Sequence, residues 1–212
     1  MKPNIKSKYV IVEGVIGVGK TSLCHLLKRE FSAYEFLENF ELNPFLEKFY
    51  QNPEEYAFQT QIFFLLDRYK QQENLKKQIE HILSENKMVV ADYMFEKDKI
   101  FSELTLNTKE KDIYNTLFDS LQKELVKPDL VIYLDAETDT LIKRIMLRDR
   151  SFERNIDFDY IDNLNQKYKE YFQKEKNNPR ILTIDSNNLD FVTNKNDFED
   201  ILSKIQKQEG LL

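Results

Sequence analysis

The sequence predicts an α/β fold, a five-stranded parallel sheet flanked by helices. Three observations predict it. Five short, nearly unbroken apolar runs alternate along the chain with longer stretches of helical periodicity, which is the pattern of βαβ units. Runs that are apolar at nearly every position suit parallel strands covered on both faces. Three of the four glycines, Gly14, Gly17 and Gly19, fall within six residues of one another just after the first run. Glycine concentrated in this way marks one place where the backbone has a special task.

The elements follow in order. Residues 9–12 (Tyr-Val-Ile-Val) read as a buried strand, and residues 22–31 as the helix after the glycines. Residues 34–37 form a weaker strand. Pro53 and Glu54 open a long helix running to about Ser84, with Ile62, Leu65, Leu66 and Tyr69 at helical spacing. Residues 88–91 are a strong strand. Residues 113–126 are an amphipathic helix. Pro128 precedes the clearest strand, residues 130–134, and helices over 138–147 and 157–172 follow. Residues 181–184 are the fifth strand, and residues 197–205 the last helix. With no internal repeat, Gly/Ser linker or long block of one charge, residues 1–212 read as one domain.

Composition narrows the function. The chain has 31 Lys+Arg against 37 Asp+Glu, a net charge of −6. Neutralising phosphates along a nucleic acid or an anionic membrane needs clustered Lys and Arg, so neither is an expected partner. The 212 residues are 41% hydrophobic, with 16 Phe and 11 Tyr, enough for a sizeable core. One Cys excludes an internal disulfide and a Cys-rich zinc site. Cys24 reads as a small core residue. A polar N-terminus and no long apolar stretch lead to the expectation of a cytoplasmic protein.

Residues 14–21 read Gly14-Val15-Ile16-Gly17-Val18-Gly19-Lys20-Thr21, a full match to G-x-x-x-x-G-K-[ST]. The expected strand precedes it and the expected helix follows. Glycines let successive backbone N–H groups point inward as an anion nest, and the helix N-terminus adds positive potential. Lys20 supplies a cation for the β- and γ-phosphates, and Thr21 a hydroxyl for Mg²⁺. The motif therefore predicts ATP or GTP binding, and leaves open what receives the phosphate.

Other candidates come from position. After the fourth strand, Arg144, Arg148, Arg150 and Arg154 lie within eleven residues. Arg144 and Arg148 are four apart and share a helix face. They fit an arginine-rich lid over about residues 144–157 that meets the charge of a transferring phosphoryl group; a solvated face with Arg–Asp pairs is the alternative. Glu38 ends the second strand at the edge where α/β folds hold ligands. It is placed to take a proton from a hydroxyl, or else to cap the next helix. Asp92 has the same position after the third strand and could reach Mg²⁺, or simply form a turn. Gln61 and Arg68, seven apart, share a face of the long helix. A Gln amide suits a nucleobase edge; a surface Gln and Arg are the alternative.

Taken together, the chain resembles the deoxyribonucleoside kinase family, most closely its bacterial deoxyguanosine/deoxyadenosine members. The resemblance rests on the loop from Glu13 to Thr21, residues 43–50 (Asn-Pro-Phe-Leu-Glu-Lys-Phe-Tyr), and Phe63-Phe64-Leu65 leading to Arg68-Tyr69-Lys70-Gln71. It continues with residues 91–97 (Ala-Asp-Tyr-Met-Phe-Glu-Lys), Arg144, Arg148 and Arg150 in Arg-x-x-x-Arg-x-Arg spacing, and Leu189-Asp190-Phe191-Val192. These motifs keep family order over roughly residues 8–205.

The resemblance implies a P-loop kinase fold that transfers the γ-phosphate of ATP, with Mg²⁺, to the 5′-hydroxyl of a purine deoxynucleoside in salvage. Deoxyguanosine ranks first and deoxyadenosine a close second. It implies Glu38 as general base, Tyr50 and Glu153 on the sugar 3′-hydroxyl, and Gln61 on the base with Arg68 nearby. Arg144, Arg148 and Arg150 form the lid, Asp190 and Phe191 flank the adenine of ATP, and Thr21 and Asp92 serve the metal. It also implies a homodimer, for which residues 113–126 and the long helix are the candidate interface. One feature departs from the family. Many relatives carry an acidic-Arg-Ser triplet after the third strand, where this chain has Asp92-Tyr93-Met94, and Lys97 or Lys99 is the candidate replacement cation. Two rival readings share the loop: a nucleoside monophosphate kinase of thymidylate-kinase type, and a non-catalytic nucleotide-binding switch.

Overall fold

A single sheet organises the chain, with all five strands parallel in the order β2-β3-β1-β4-β5. The computed structural model describes residues 5–154 and 156–210. The strands are β1 (Tyr9–Glu13), β2 (Tyr34–Phe36), β3 (Val89–Ala91), β4 (Leu130–Asp135) and β5 (Ile181–Asp185). The helices are α1 (Lys20–Phe31), α2 (Leu46–Gln51), α3 (Pro53–Ser84), α4 (Lys97–Thr105), α5 (Thr108–Leu121), α6 (Thr138–Arg148), α7 (Phe158–Lys174) and α8 (Lys195–Glu209). Short 3-10 turns at Phe40–Leu42, Gln122–Glu124 and Ser151–Glu153 join some of them.

The apolar runs explain which strands are central. β1 is buried at every position, as is β3, while β4 is buried until its last residue. The edge strands differ: Tyr34 of β2 is exposed, and only Ile184 of β5 is fully covered. The expectation of strands covered on both faces therefore holds for the three inner strands, and the edges read as apolar because one side still packs on the core.

The helix boundaries have local causes. Asn52 precedes α3 with Pro53 at its first turn, where a missing N–H costs nothing. At 32 residues α3 is about 48 Å long at 1.5 Å per residue. The expected helix over 113–126 instead starts at Thr108 and ends at Leu121. A capping box sets its start, with Asn107 Oδ1 accepting from Glu110 N at 3.1 Å and Glu110 Oε2 accepting from Asn107 N at 3.1 Å. Two helices, α2 and α4, had no counterpart in the periodicity.

A second apolar cluster is formed by Phe49, Ala57, Leu65, Phe95, Leu106, Tyr114 and Phe118. It ties α2, α3 and α5 together beside the main core. The chain from β1 leads by α1 to β2 on one flank of the sheet, and β4 lies on the other side of β1. Such a reversal opens a crevice at the C-terminal ends of the strands. Among the described residues, no helix is long and apolar enough to cross a membrane.

Candidate active site

The glycine loop leaves the end of β1 and enters α1 in a conformation that side chains would block. Gly14 has φ +150°, and a Cβ on it would lie 2.6 Å from the carbonyl oxygen of Leu134. Gly19, at φ +108°, would put a Cβ 2.9 Å from the Phe191 ring. α1 begins without a side-chain cap or an acidic residue in its first turn. Its first amides are left for an anion rather than for the protein's own oxygens.

Lys20 Nζ donates to the carbonyls of Gly14 at 2.7 Å and Val15 at 3.1 Å. Burial, with the charge of Lys97 adding to it, lowers its ammonium pKa to about 8. Thr21 Oγ1 donates to Asp92 Oδ2 at 2.5 Å, and Asp92 Oδ1 accepts from Glu38 N at 2.7 Å. One carboxylate thus joins the helix after the loop to the backbone of Glu38. Glu38 lies two residues beyond the end of β2 rather than in the strand, because β2 stops at Phe36.

The sequence reading included Glu13 in the loop motif but gave it no role in the site. Its carboxylate is fully buried and accepts from Gly14 N at 2.7 Å, Met94 N at 2.9 Å and the Tyr168 hydroxyl at 3.2 Å. Burial pushes its pKa up, opposed by Lys97 and Lys20. It holds the first amide of the glycine loop against the turn that follows Asp92.

Deeper in the cleft, charges are paired in a chain. Arg68 Nη2 and Lys97 Nζ both bond the carboxylate of Glu38, and Arg68 Nη1 bonds Asp98 Oδ1. Arg68 and Asp98 are 3% and 1% exposed, so this is a buried network. Burial alone would raise the pKa of Glu38, but Arg68 and Lys97 outweigh it and hold the carboxyl well below the usual carboxylate range. Five buried side-chain atoms of residues lining this cleft have no partner: Gln61 Oε1, Arg68 Nε, Asp98 Oδ2, Thr60 Oγ1 and the Tyr160 hydroxyl. Buried polar atoms without partners are costly, and two of these belong to Gln61 and Arg68, where the sequence placed a nucleobase reader. Neither Gln61 nor Arg68 is the surface residue of the alternative reading.

Lys97 lines the cleft, while Lys99 is exposed, with its ammonium 5.4 Å from the centre of the Phe118 ring. Of the two candidate cations, only Lys97 reaches the site. Asp98 belongs to it as well, and the sequence reading missed it. It was hidden because α4 buries Lys97, Asp98 and Ser102 where periodicity expects apolar residues.

The arginines divide. Arg148 Nη2 bonds Glu153 Oε2, and Arg150 Nη1 lies 3.6 Å from Glu153 Oε1. Both line the cleft. Arg144 departs from the expected lid. It lies within α6, and its guanidinium donates to Ser186 O at 2.6 Å, Leu189 O at 3.1 Å, Ser186 Oγ at 3.2 Å and Val18 O at 3.3 Å. Those acceptors fix it as a tie between the glycine loop and the segment after β5. α6 ends at Arg148, where Asp149 turns the chain in the left-handed region toward Arg150 and Glu153.

Two cavities result. One is lined by Glu38, Tyr50, Gln61, Arg68, Lys97, Asp98 and Glu153, the other by Gly17, Gly19, Arg144, Asp190 and Phe191. They share Lys20, Thr21, Arg148 and Arg150. Tyr50 is stacked on Phe152 and edge-on to Tyr160, and burial pushes its phenol pKa up.

A glycine loop on a parallel sheet, with a second cavity meeting it at three cations and a hydroxyl, defines a phosphate-loop kinase. Comparison with known proteins sharpens the class. The deoxynucleoside kinase family profile matches residues 10–208. The chain is 37% identical to deoxyguanosine kinase of Bacillus subtilis (strain 168), over 94% of this chain and 96% of that protein. It is 31% identical to deoxyadenosine kinase of Lactobacillus acidophilus, over 94% and 95%. The structure of deoxyadenosine kinase from M. mycoides with bound dATP superposes with a TM-score of 0.80 at 26% identity, covering 93% of this chain and 98% of that one. The chain belongs to the deoxynucleoside kinase family, and it is an enzyme, a nucleoside-phosphorylating kinase.

Proposed function

We infer that the protein transfers the γ-phosphate of ATP to the 5′-hydroxyl of a purine deoxynucleoside, deoxyguanosine before deoxyadenosine. The observation that carries this reading is the junction of the two cavities at Lys20, Thr21, Arg148 and Arg150. ATP occupies the cavity of the glycine loop, with its base toward Asp190 and Phe191. The nucleoside occupies the other, its sugar against Tyr50 and Glu153 and its 5′-hydroxyl toward Glu38. Phosphoryl transfer asks little covalent chemistry of a protein, so positioning and charge dominate. Glu38, ionised and fixed, orients the hydroxyl and takes its proton as the new bond forms. Lys20, Arg148 and Arg150 meet the negative charge spread over the transferring group.

The residues at Thr21 and Asp92 fit Mg²⁺. Among the described residues no group of three or more His, Cys, Asp or Glu could hold a metal. A hydroxyl beside one carboxylate, completed by phosphate oxygens and water, is the donor set Mg²⁺ uses in nucleotide sites. Thr21 and Asp92 would hold the ion, which would supply charge neutralisation for the donor phosphates.

The unpartnered atoms favour guanine. Guanine presents one acceptor, O6, and two donors, N1–H and the 2-amino group. Arg68 Nε is an unpartnered donor, and Gln61 Oε1 and Asp98 Oδ2 are unpartnered acceptors. On the same Watson–Crick edge adenine presents one donor, its 6-amino group, and one acceptor, N1, and so leaves one of the two unpartnered acceptors unmatched. A site whose polar groups are left unpaired by the wrong ligand discriminates strongly. The homodimer belongs to the same reading; Leu66 of α3 and Ile113 and Leu117 of α5 are exposed apolar residues it would cover.

The test is a product panel. Purified protein receives ATP and Mg²⁺ with deoxyguanosine, deoxyadenosine, deoxycytidine or thymidine, and with each 5′-monophosphate. We expect dGMP to form with the highest kcat/KM. Diphosphate formed only from a monophosphate acceptor would instead support the thymidylate-kinase type.

Lys97 gives a second prediction. With its buried ammonium on Glu38 and in the same cleft as Lys20, Lys97→Ala is expected to lower kcat/KM for the nucleoside by about 10–100-fold, as for the loss of one charged group acting at the reacting centre. A change within about twofold would remove Lys97 from the site.

A further inference from the structure

The lid reaches the wall of the nucleoside cavity through aromatic rings rather than through its arginines alone. Phe152 lies in the turn Ser151–Glu153, between the lid arginines and Glu153. Its ring stacks on Tyr50 with centroids 6.1 Å apart and planes 19° apart, and tilts against Phe40 at 5.8 Å. Arg150 completes the contact, its guanidinium 4.1 Å from the centre of the Phe40 ring. Tyr50 is held from its other sides by Phe49 at 5.5 Å and Tyr160 at 6.4 Å.

We propose that Phe152 is a positioning residue that couples the two substrates: a nucleoside seated against Tyr50 fixes the Phe152 ring, which sets Arg148 and Arg150 over the donor phosphates. The proposal rests on the reading of this cleft as the nucleoside site. The path is short and continuous. Phe152 and Glu153 are adjacent in the chain, and Glu153 holds Arg148 directly and lies 3.6 Å from Arg150. A ligand that orders Tyr50 and Glu153 together leaves Phe152 one place to pack. Binding at one site then raises affinity at the other, and linkage makes the effect reciprocal. Phe40 and Tyr50 stand on different elements, a 3-10 turn and α2, so the ring grips two points of the wall and resists sliding along either.

The test measures binding of a non-hydrolysable ATP analogue with Mg²⁺ by calorimetry, without nucleoside and with saturating deoxyguanosine. The ratio of the two dissociation constants is the coupling factor. In the wild type we expect the nucleoside to tighten analogue binding about tenfold. Phe152→Ala should reduce that factor by about 3–10-fold, the range of one aromatic pair, while binding without nucleoside stays within about twofold. Phe152→Tyr should restore the factor, since it keeps the stack. Phe152→Leu keeps apolar bulk without the ring face, and stands in if the alanine variant does not fold. A purely structural role would lower the melting temperature and leave the factor unmoved. A wild-type factor near one, or the same factor in wild type and Phe152→Leu, overturns the proposal while dGMP is still formed. Absence of product from every deoxynucleoside overturns the site reading and the coupling together.

Discussion

Glu38→Gln is expected to lower turnover by about 10²–10⁴, the range for losing a general base, while ATP binding is retained. The substitution keeps the side chain's size and one carbonyl acceptor. It removes the group that can accept the proton of the 5′-hydroxyl, and it removes the negative charge that holds Arg68 and Lys97. Those two cations keep Glu38 ionised at every physiological pH, so it is a fixed orienting group and a weak base. A weak base suffices where the transition state is loose and the proton moves late. That argues for the lower part of the range. ATP binding survives because Glu38 lies outside the cavity lined by the glycine loop and residues 189–192. Steady-state turnover with saturating deoxyguanosine, and calorimetric titration with an ATP analogue, measure the two effects separately. Turnover within threefold of wild type would take Glu38 out of the base role.

Much of this was legible in the sequence, for reasons that differ by element. β1, β3 and β4 were visible because strands buried on both faces are apolar at nearly every position. The glycine loop was visible because its backbone forbids side chains at fixed spacings. Gln61 and Arg68 were suggested by a shared helix face, but spacing cannot distinguish a buried face from a wet one. Their burial depends on α4, which packs against α3, and α4 was illegible. A helix of nine residues whose buried face carries Lys97 and Asp98 beside Ile100 gives periodicity too few apolar positions to mark it. Asp98 was lost with it, although one signal was available, an acidic residue beside a lysine six residues past Asp92. The contacts of Arg144 were hidden for a related reason. The spacing of the arginines fixes that they share a helix, but the acceptors that occupy Arg144 come from Val18, Ser186 and Leu189, distant in sequence. Local sequence violates patterning where charge is buried for function, and there it reads least well.

The same burial gives Arg68 a part in stability as well. Arg68→Leu is expected to destabilise the protein by about 3–5 kcal/mol, the cost of removing one partner from a buried ion pair. For a chain of this size that lowers the melting temperature by about 6–20 °C. The loss comes less from the missing attraction than from what stays behind. Asp98 is 1% exposed, its Oδ2 is already unpartnered, and without Arg68 its Oδ1 loses its bond as well. Glu38 keeps Lys97 and is therefore the smaller part of the effect. This apportioning has a direct consequence: the double variant Arg68→Leu/Asp98→Leu removes the stranded carboxylate and should recover at least half of the lost melting temperature, although neither variant should retain selectivity for guanine. Thermal unfolding of the wild type, both single variants and the double variant closes the cycle. If Arg68→Leu melts within 2 °C of wild type, or if the double variant is less stable than the sum of the singles, the buried carboxylate is not what Arg68 is there to hold.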